Sequence, residues 1–317
     1  MAPVSRHDTR RLSAALRALL TLGLAYAVLR QIDFGTLKAS ALGVNATALL
    51  AAGFFTVVTP ALGAFRWQRV LAHVSERVGF GPLVSDLLVG SAYNLVLPTT
   101  MGGDVVRALR CSRRVEHPAS GYGSVVFERL LGLLALSLAA VLGALLANRG
   151  SRGTLTLFCL ASLGLLLFGL RFAGSILNAL ARSLDRFARF AGRLREVAHA
   201  LEGPWANPRA SLEILALSLV YQVCNLSIVA VVLLGFDEPR WAVAAYLGIP
   251  LALLISSAPV TIGGFGLREA LFVHILADYG VSAERALLLS MLWFVSSLLL
   301  ALAGLVVLAK ERAWLSA

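Results

Sequence analysis

A ten-residue pattern occurs twice in this chain, and each copy breaks an apolar run that would otherwise form a helix. The first copy is Pro98-Thr99-Thr100-Met101-Gly102-Gly103-Asp104-Val105-Val106-Arg107, and the second is Pro259-Val260-Thr261-Ile262-Gly263-Gly264-Phe265-Gly266-Leu267-Arg268. Proline, then threonine, then the glycine pair, then arginine recur at identical spacing. Proline has no amide hydrogen to donate, and paired glycines are too flexible to hold a helix. The flanking runs are apolar enough to lie in lipid, where a broken backbone is tolerated only if protein or a cavity covers it. Interrupted segments at corresponding places in two halves of a membrane protein are the best sequence pointer to a transport site.

Composition fixes the solvent. Of 317 residues, 58% are hydrophobic and 14% charged. A soluble domain carries about 25% charged residues, so the chain reads as an integral membrane protein. The net charge of +11 comes almost wholly from arginines at the ends of apolar runs. The positive-inside rule accounts for such clusters, so nucleic acid is not an expected partner. Cys111, Cys159 and Cys224 are scattered singly and make neither a disulfide framework nor a metal set.

Charge placement sets the topology. A first span over residues 12–29 follows Arg6, Arg10 and Arg11. Ala25-Tyr26-Ala27 also resembles a signal-peptidase site, so a removed leader competes with a retained span. The second span, residues 45–64, precedes Arg66, Arg69, His73 and Arg77, read as a cytoplasmic loop. Residues 83–97 reach only ~22 Å as a helix, short of the ~30 Å apolar core, and a basic cluster from Arg107 to Arg114 follows the break. The chain has gone in and come back, as a re-entrant hairpin.

Full spans over 125–147, 154–170, 212–234 and 286–309 complete the set, with a second hairpin built from 242–258 and 267–276. Between them, apolar residues spaced by three and four over 172–201 alternate with Arg182, Arg186, Arg189, Arg193 and Arg195. That is an amphipathic helix for the cytoplasmic leaflet, or one that docks a partner. The expectation is an all-α polytopic membrane protein. It forms a single membrane domain over residues 1–317, with six full spans, two re-entrant hairpins and both termini cytoplasmic. Residues 12–147 and 154–310 make the two halves of an inverted repeat.

After each glycine pair a half-helix begins, and its first turn carries free amide hydrogens and a partial positive charge. Such a terminus suits an anion. Arginine is electrostatically unfavourable there unless a bound phosphate or carboxylate accompanies it. Arg268 lies ten residues before Asp278, ~15 Å along a helix and near the bilayer midplane. An internal ion pair with Glu269 or Glu128 is the competing reading for it, and Arg107 is close enough to its own surface to snorkel. Tyr93, Asn94, Gln222 and Asn225 are polar groups within apolar runs, which commonly serve interhelical hydrogen bonds. No hydrolase, metalloprotease or nucleotide-loop motif is present, so neither an enzyme nor a cofactor is expected.

These residues resemble a known family. Tyr93-Asn94-Leu95-Val96-Leu97-Pro98, Gly102-Gly103-Asp104-Val105-Val106-Arg107, Glu128-Arg129-Leu130-Leu131-Gly132-Leu133, and Pro259 with Gly263-Gly264-Phe265-Gly266-Leu267-Arg268-Glu269-Ala270 look like the flippase-like membrane domain of the lysylphosphatidylglycerol synthases. Full-length synthases add a cytosolic aminoacyl-transferase domain that this sequence lacks, so the resemblance implies lipid handling rather than aminoacyl transfer. Stand-alone members are associated with moving lipid-linked or polyisoprenoid cargo.

The sequence thus points to a flippase-like transporter of an anionic phospholipid or polyisoprenoid phosphate in a bacterial-type inner membrane. The alternative is a non-transporting partner of a lipid- or glycan-modifying enzyme. Association with such an enzyme, or with a second copy of the chain, is left open. The candidate headgroup contacts are Thr100, Gly102, Gly103, Asp104 and Arg107 around the first break, and Thr261, Gly263, Gly264, Arg268 and Glu269 around the second. Tyr93, Asn94, Glu128 and Arg129 join them. Asp104, Glu128 and Glu269 are candidate proton carriers.

Overall fold

The computed structural model describes residues 19–96, 102–146, 152–184, 188–202, 208–236, 239–258, 260–261 and 264–316. Thr100 and Gly263 of the candidate set lie outside the described residues, as do Pro98, Pro259 and residues 12–18 of the expected first span. Every regular element among the described residues is a helix. They are α1 (Leu19–Leu29), α2 (Phe34–Leu42), α3 (Ala46–His73), α4 (Phe80–Val96), α5 (Gly102–Ser112), α6 (Pro118–Leu146), α7 (Arg152–Ser183) and α8 (Ala188–Glu202). The second half continues with α9 (Pro208–Leu234), α10 (Pro239–Leu247), α11 (Ile249–Ser256), α12 (Leu267–Ala277) and α13 (Ala283–Ser316).

Helices α3, α6, α9 and α13 are each long and apolar enough to cross a membrane. They coincide with the second, third, fifth and sixth expected spans. Helix α7, bent by 49° between Cys159–Gly169 and Arg171–Ser183, makes a fifth if counted as one span. The stretch 172–201 is divided in the structure: its first part continues α7, and the rest forms α8, which packs back on α6 and α7.

Local chemistry sets several boundaries. The Asn45 side chain accepts the Thr47 amide at 3.0 Å and starts α3. Asp33 starts α2 by accepting the Thr36 hydroxyl at 2.6 Å and the Gly35 amide at 2.9 Å. Those bonds hold its exposed carboxyl below the usual carboxylate range. Pro60 sits inside α3; the neighbouring Thr56 and Thr59 hydroxyls donate to the Ala52 and Phe55 carbonyls, at 2.8 and 2.7 Å.

Contrary to the expectation of a cytoplasmic loop, residues 66–73 are the last two turns of α3, and both Arg66 and Trp67 are buried. Trp67 anchors a core of Ala64, Leu71, Leu83, Ala108, Cys111 and Val125 that binds α3, α4, α5 and α6 together. Its indole nitrogen donates to the Ser124 hydroxyl at 2.9 Å. That burial draws the end of α3 inward. Phe272 and Trp241 sit in the corresponding core of α9 to α13.

Between apolar helices in lipid there is little hydrophobic drive, so close backbone approach and interhelical hydrogen bonds carry the packing. The two halves meet where α3 lies along α9 and α4 lies along α13. At the second of these crossings a Cβ on Gly304 would fall 2.0 Å from the Leu88 carbonyl oxygen, so only glycine permits it.

Both breaks turn the chain back on itself. Across the first, Asn94 meets Gly103, Gly90 meets Gly103 and Arg107, and Asp86 meets Arg110 and Arg114. Partners that recede along one helix as they advance along the other define an antiparallel hairpin of α4 and α5. Across the second, Gly248 lies near Ile275 and Tyr279, and Gly264 near Ser256, which pairs α11 with α12 in the same way. The turn into α12 needs the left-handed backbone of Gly264 (φ +81°) and Gly266 (φ +78°). At Gly266 a Cβ would also strike the α1 backbone, 2.7 Å from the Thr21 carbonyl oxygen. Helix α1 is seated against the second break, and its Val28 packs, with Ile32 just beyond it, on Leu287.

Candidate functional site

A cavity of about 410 Å³ lies between the two halves of the chain. Helices α3, α4, α5 and α6 supply one side, and α9, α11 and α13 the other. Its charged lining residues, among those described, are Arg66, Asp104, Arg107, Glu128 and Arg129.

These five side chains form one continuous chain of ion pairs. Glu128 is buried, and its two oxygens face two different arginines. One accepts Arg66 Nη2 at 2.6 Å, and the other accepts Arg107 Nη2. Arg107 Nη1 also reaches Asp104 at 3.2 Å, one turn back on α5. The other Asp104 oxygen takes Arg129 Nη1 at 3.0 Å. Two arginines rest on aromatic faces, Arg66 over Tyr221 at 4.5 Å and Arg107 over Trp67 at 4.6 Å. Arg66 Nε and Nη1, Arg107 Nε, Arg129 Nε and Gln222 Oε1 are buried without a hydrogen-bond partner among the described residues. The amide nitrogen of Gln222 donates to the Gly132 carbonyl at 3.1 Å, which leaves its oxygen as an unspent acceptor.

The hairpin places the acidic and basic groups of α5. A Cβ on Gly103 would lie 2.1 Å from the Gly90 carbonyl oxygen, so the glycine lets α5 sit directly on α4. The Gly103 amide donates to Asn94 Oδ1 at 2.7 Å, so one free amide of the helix start is already taken. Further along, the buried Asp86 accepts Arg110 Nε at 2.5 Å and also pairs with Arg114. Arg110 continues to Glu311 on α13 at 2.7 Å.

Of the residues singled out from sequence, Asp104, Arg107, Glu128 and Arg129 come together on the cavity. Gly102 and Gly103 are buried at the start of α5, and Asn94 caps it. Tyr93 is half-buried on α4 and is not among the described lining residues.

The second break is arranged differently. Arg268 is buried and donates to Glu269 at 2.7 Å and to the Ser290 hydroxyl at 3.0 Å. Glu269 also accepts the Gly266 amide at 2.7 Å and the Ser290 hydroxyl at 2.8 Å. Neither Arg268 nor Glu269 is among the described residues lining the cavity. The ion pair weighed from sequence is therefore present in the structure, and it fastens α12 to α13. Thr261 is buried with its hydroxyl oxygen unpartnered among the described residues, and Gly264 is buried in the turn.

Sequence reasoning missed Arg66, Tyr221, Ser256, Ser257 and Trp293, all of which line the cavity. Arg66 and Trp67 stood in the sequence as a dipeptide echoed by Arg240 and Trp241, and that echo was the one available signal. In the structure both tryptophans are buried and each lies under an arginine, Trp67 under Arg107 and Trp241 under Arg285 at 4.7 Å.

Known proteins share parts of this sequence. The relative called Glycosyltransferase AglD, from Haloferax volcanii, is 31% identical over 150 residues, which is 46% of this chain and 23% of that protein. The matched stretch therefore spans under a quarter of that relative. The profile described as Lysylphosphatidylglycerol synthase TM region matches residues 14–304, nearly the whole chain. With the long apolar helices already described, that match makes this a multi-pass membrane protein that belongs to the Lysylphosphatidylglycerol synthase TM region family.

Proposed function

We propose that this protein is a flippase-like transporter that moves an anionic phospholipid or a polyisoprenoid phosphate across a bacterial-type inner membrane. In this reading six spans and two re-entrant hairpins form an inverted repeat with both termini in the cytoplasm. The headgroup enters the cavity while the tails stay in lipid. Rocking of one half against the other then exposes the cavity to alternate sides. Transport uses no nucleotide, so a gradient or downstream consumption of the lipid drives it, with Asp104 and Glu128 as the acidic groups placed to carry a proton. The chain is not itself an enzyme and needs no cofactor.

The observation that carries this reading is the buried chain of charges on the cavity wall. Ionised side chains within a membrane protein are costly and mark substrate or ion pathways. Here α3, α5 and α6 supply the charges, while α9, α11 and α13 close the cavity from the other half. The site at the second break would act by holding α12 rather than by touching the headgroup.

Reconstitution tests it. Proteoliposomes holding a lipid with a fluorescent tail are quenched from outside, and the protected fraction reports translocation. The wild type empties the inner leaflet of an anionic probe, and Arg107→Ala loses most of that rate at equal folded protein. A wild type that moves no anionic lipid refutes the reading.

A second reading draws on the relative named as a glycosyltransferase, of which the match is a minor part. There the membrane unit would serve a lipid- or glycan-modifying enzyme without transporting. Deleting residues 188–202 separates the two. A transporter keeps translocation, and a scaffold shows none before or after while losing its partner in pull-down.

A further inference from the structure

Two close helix crossings flank the cavity, and they match each other in sequence. On α13, Gly304 passes the Leu88 carbonyl of α4, and on α6, Gly143 passes the Leu247 carbonyl of α10. A Cβ at either glycine would lie 2.0 Å from that oxygen. Gly143 follows Gly103 by 40 residues and Gly304 follows Gly264 by 40, so the two glycines hold one place in the repeated pattern. Each crossing joins helices of opposite halves just beyond the cavity wall. Leu300 lines the cavity about one turn before Gly304, and Leu136 lines it about two turns before Gly143.

Among the described residues, charge bridges the halves at the first of these crossings and not at the second. The buried Asp86 accepts Arg110 Nε at 2.5 Å and pairs with Arg114, all within the first hairpin. That bond fixes Arg110 on the hairpin and leaves its two terminal nitrogens as a fork. The fork meets Glu311 on α13, Nη2 to one oxygen at 2.7 Å and Nη1 to the other at 2.9 Å. The Ser85 hydroxyl donates to the same carboxylate at 3.1 Å. Three hydrogen bonds from the first half thus converge on α13 about two turns past Gly304. Counted from the glycine pair, Asp86, Arg110 and Arg114 give way in the second half to Leu247, Leu271 and Ile275. There Leu271 and Ile275 pack on an apolar core.

The two ends of the charged cluster differ in how firmly they hold. Asp86 has no exposed side-chain surface, whereas Glu311 is 37% exposed and Arg110 20%. An ion pair that water reaches is weakly held, so the Glu311 contact can part while Asp86 keeps the hairpin intact. Rocking of one half against the other, the motion on which this inference rests, opens one crossing as it closes the other. We propose that Ser85, Arg110 and Glu311 form a releasable latch that shuts the cavity toward the end of α13 and parts each time the cavity faces that side. The apolar crossing at Gly143 has no such hold, so the protein at rest is closed at the α13 end.

Reagent access to the cavity tests the latch without any lipid assay. Ser91→Cys places a thiol on the cavity wall; Cys111, Cys159 and Cys224 are buried, and the parent protein serves as blank. A charged, membrane-impermeant methanethiosulfonate is added from one membrane face at a time, at matched folded protein. Glu311→Gln raises the labelling rate about fivefold from the face where α13 ends, the factor that corresponds to ~1 kcal/mol for a part-exposed pair. Labelling from the opposite face does not rise. Ser85→Ala, which removes one bond and no charge, gives a smaller rise on the same face, and Glu311→Lys, which opposes Arg110, a larger one. In a second measurement, Ser85→Cys and Glu311→Cys are joined by a short bis-methanethiosulfonate. The joined protein moves tail-labelled phosphatidylglycerol at least ten times more slowly than either single variant treated alike, and reductant restores the rate.

Equal labelling of wild type and Glu311→Gln, or a rise from both faces alike, overturns the latch. So does a joined protein that moves lipid at the unjoined rate, and lipid transport then stands. A wild type that moves no lipid overturns transport instead, and the labelling rates still decide the latch.

Discussion

Glu128→Gln is the perturbation that best probes the buried charge chain. The wild-type carboxylate holds Arg66 through one oxygen and Arg107 through the other, and its side chain is 5% exposed. The amide keeps the shape but removes the charge. Arg107 retains Asp104 at 3.2 Å, whereas Arg66 loses its acidic partner and already has Nε and Nη1 unpartnered. Breaking a buried pair from one side costs ~3–5 kcal/mol. The lower figure applies here because the amide oxygen still accepts one hydrogen bond. At ~2–4 °C per kcal/mol for a chain of a few hundred residues, the melting temperature falls by about 6–12 °C. The assay is a thermal melt of detergent-purified protein at one fixed scan rate, since unfolding of such a protein is not expected to reverse. Arg66→Met added to Glu128→Gln removes the stranded charge and restores most of the loss. A single variant within about 2 °C of wild type, or a double variant no more stable than the single, refutes the account.

Three further outcomes rest on particular contacts. Gly304→Ala forces a Cβ against the Leu88 carbonyl at 2.0 Å and destabilises by ~1–3 kcal/mol. Gly164→Ala, where nothing lies within 4 Å, stays within ~0.5 kcal/mol in the same melt. Asp86→Asn removes the fully buried carboxylate from Arg110, which keeps Glu311, and from the part-exposed Arg114, and costs ~1–3 kcal/mol. Glu311→Gln, at a carboxylate 37% exposed, costs no more than ~1 kcal/mol. In translocation assays at matched folded protein, Arg107→Ala loses more activity than Arg268→Ala. The latter acts chiefly on stability, because it frees Glu269 at the start of α12 and Ser290 on α13.

Several features were legible without the fold because they are written in local chemistry. Proline gives up a helix hydrogen bond and paired glycines hold a helix poorly, so both together in one short stretch made the two turns readable from Pro98-to-Arg107 and Pro259-to-Arg268. Apolar length gave α3, α6, α9 and α13. Asp104, Arg107, Glu128 and Arg129 stood out because charge is rare in such runs. Arg66 was misread for the same kind of reason. An arginine after twenty apolar residues looks like the end of a span, and only the continuation of α3 to His73 and the burial of Trp67 turn it inward.

The two arginines of the repeated pattern show the division most clearly. Sequence gave them identical positions after identical breaks, and by itself determined that the chain turns back at both places, since backbone geometry is a local property. Which arginine faces the cavity depends on what other helices present to it. Arg107 meets Glu128 from α6 and joins the chain of charges that runs to Arg66 on α3, while Arg268 is spent on its own neighbour Glu269 and on Ser290 of α13. Tertiary structure decided that difference, because an ion pair is fixed by distance in space and burial, and neither is carried by spacing along the chain.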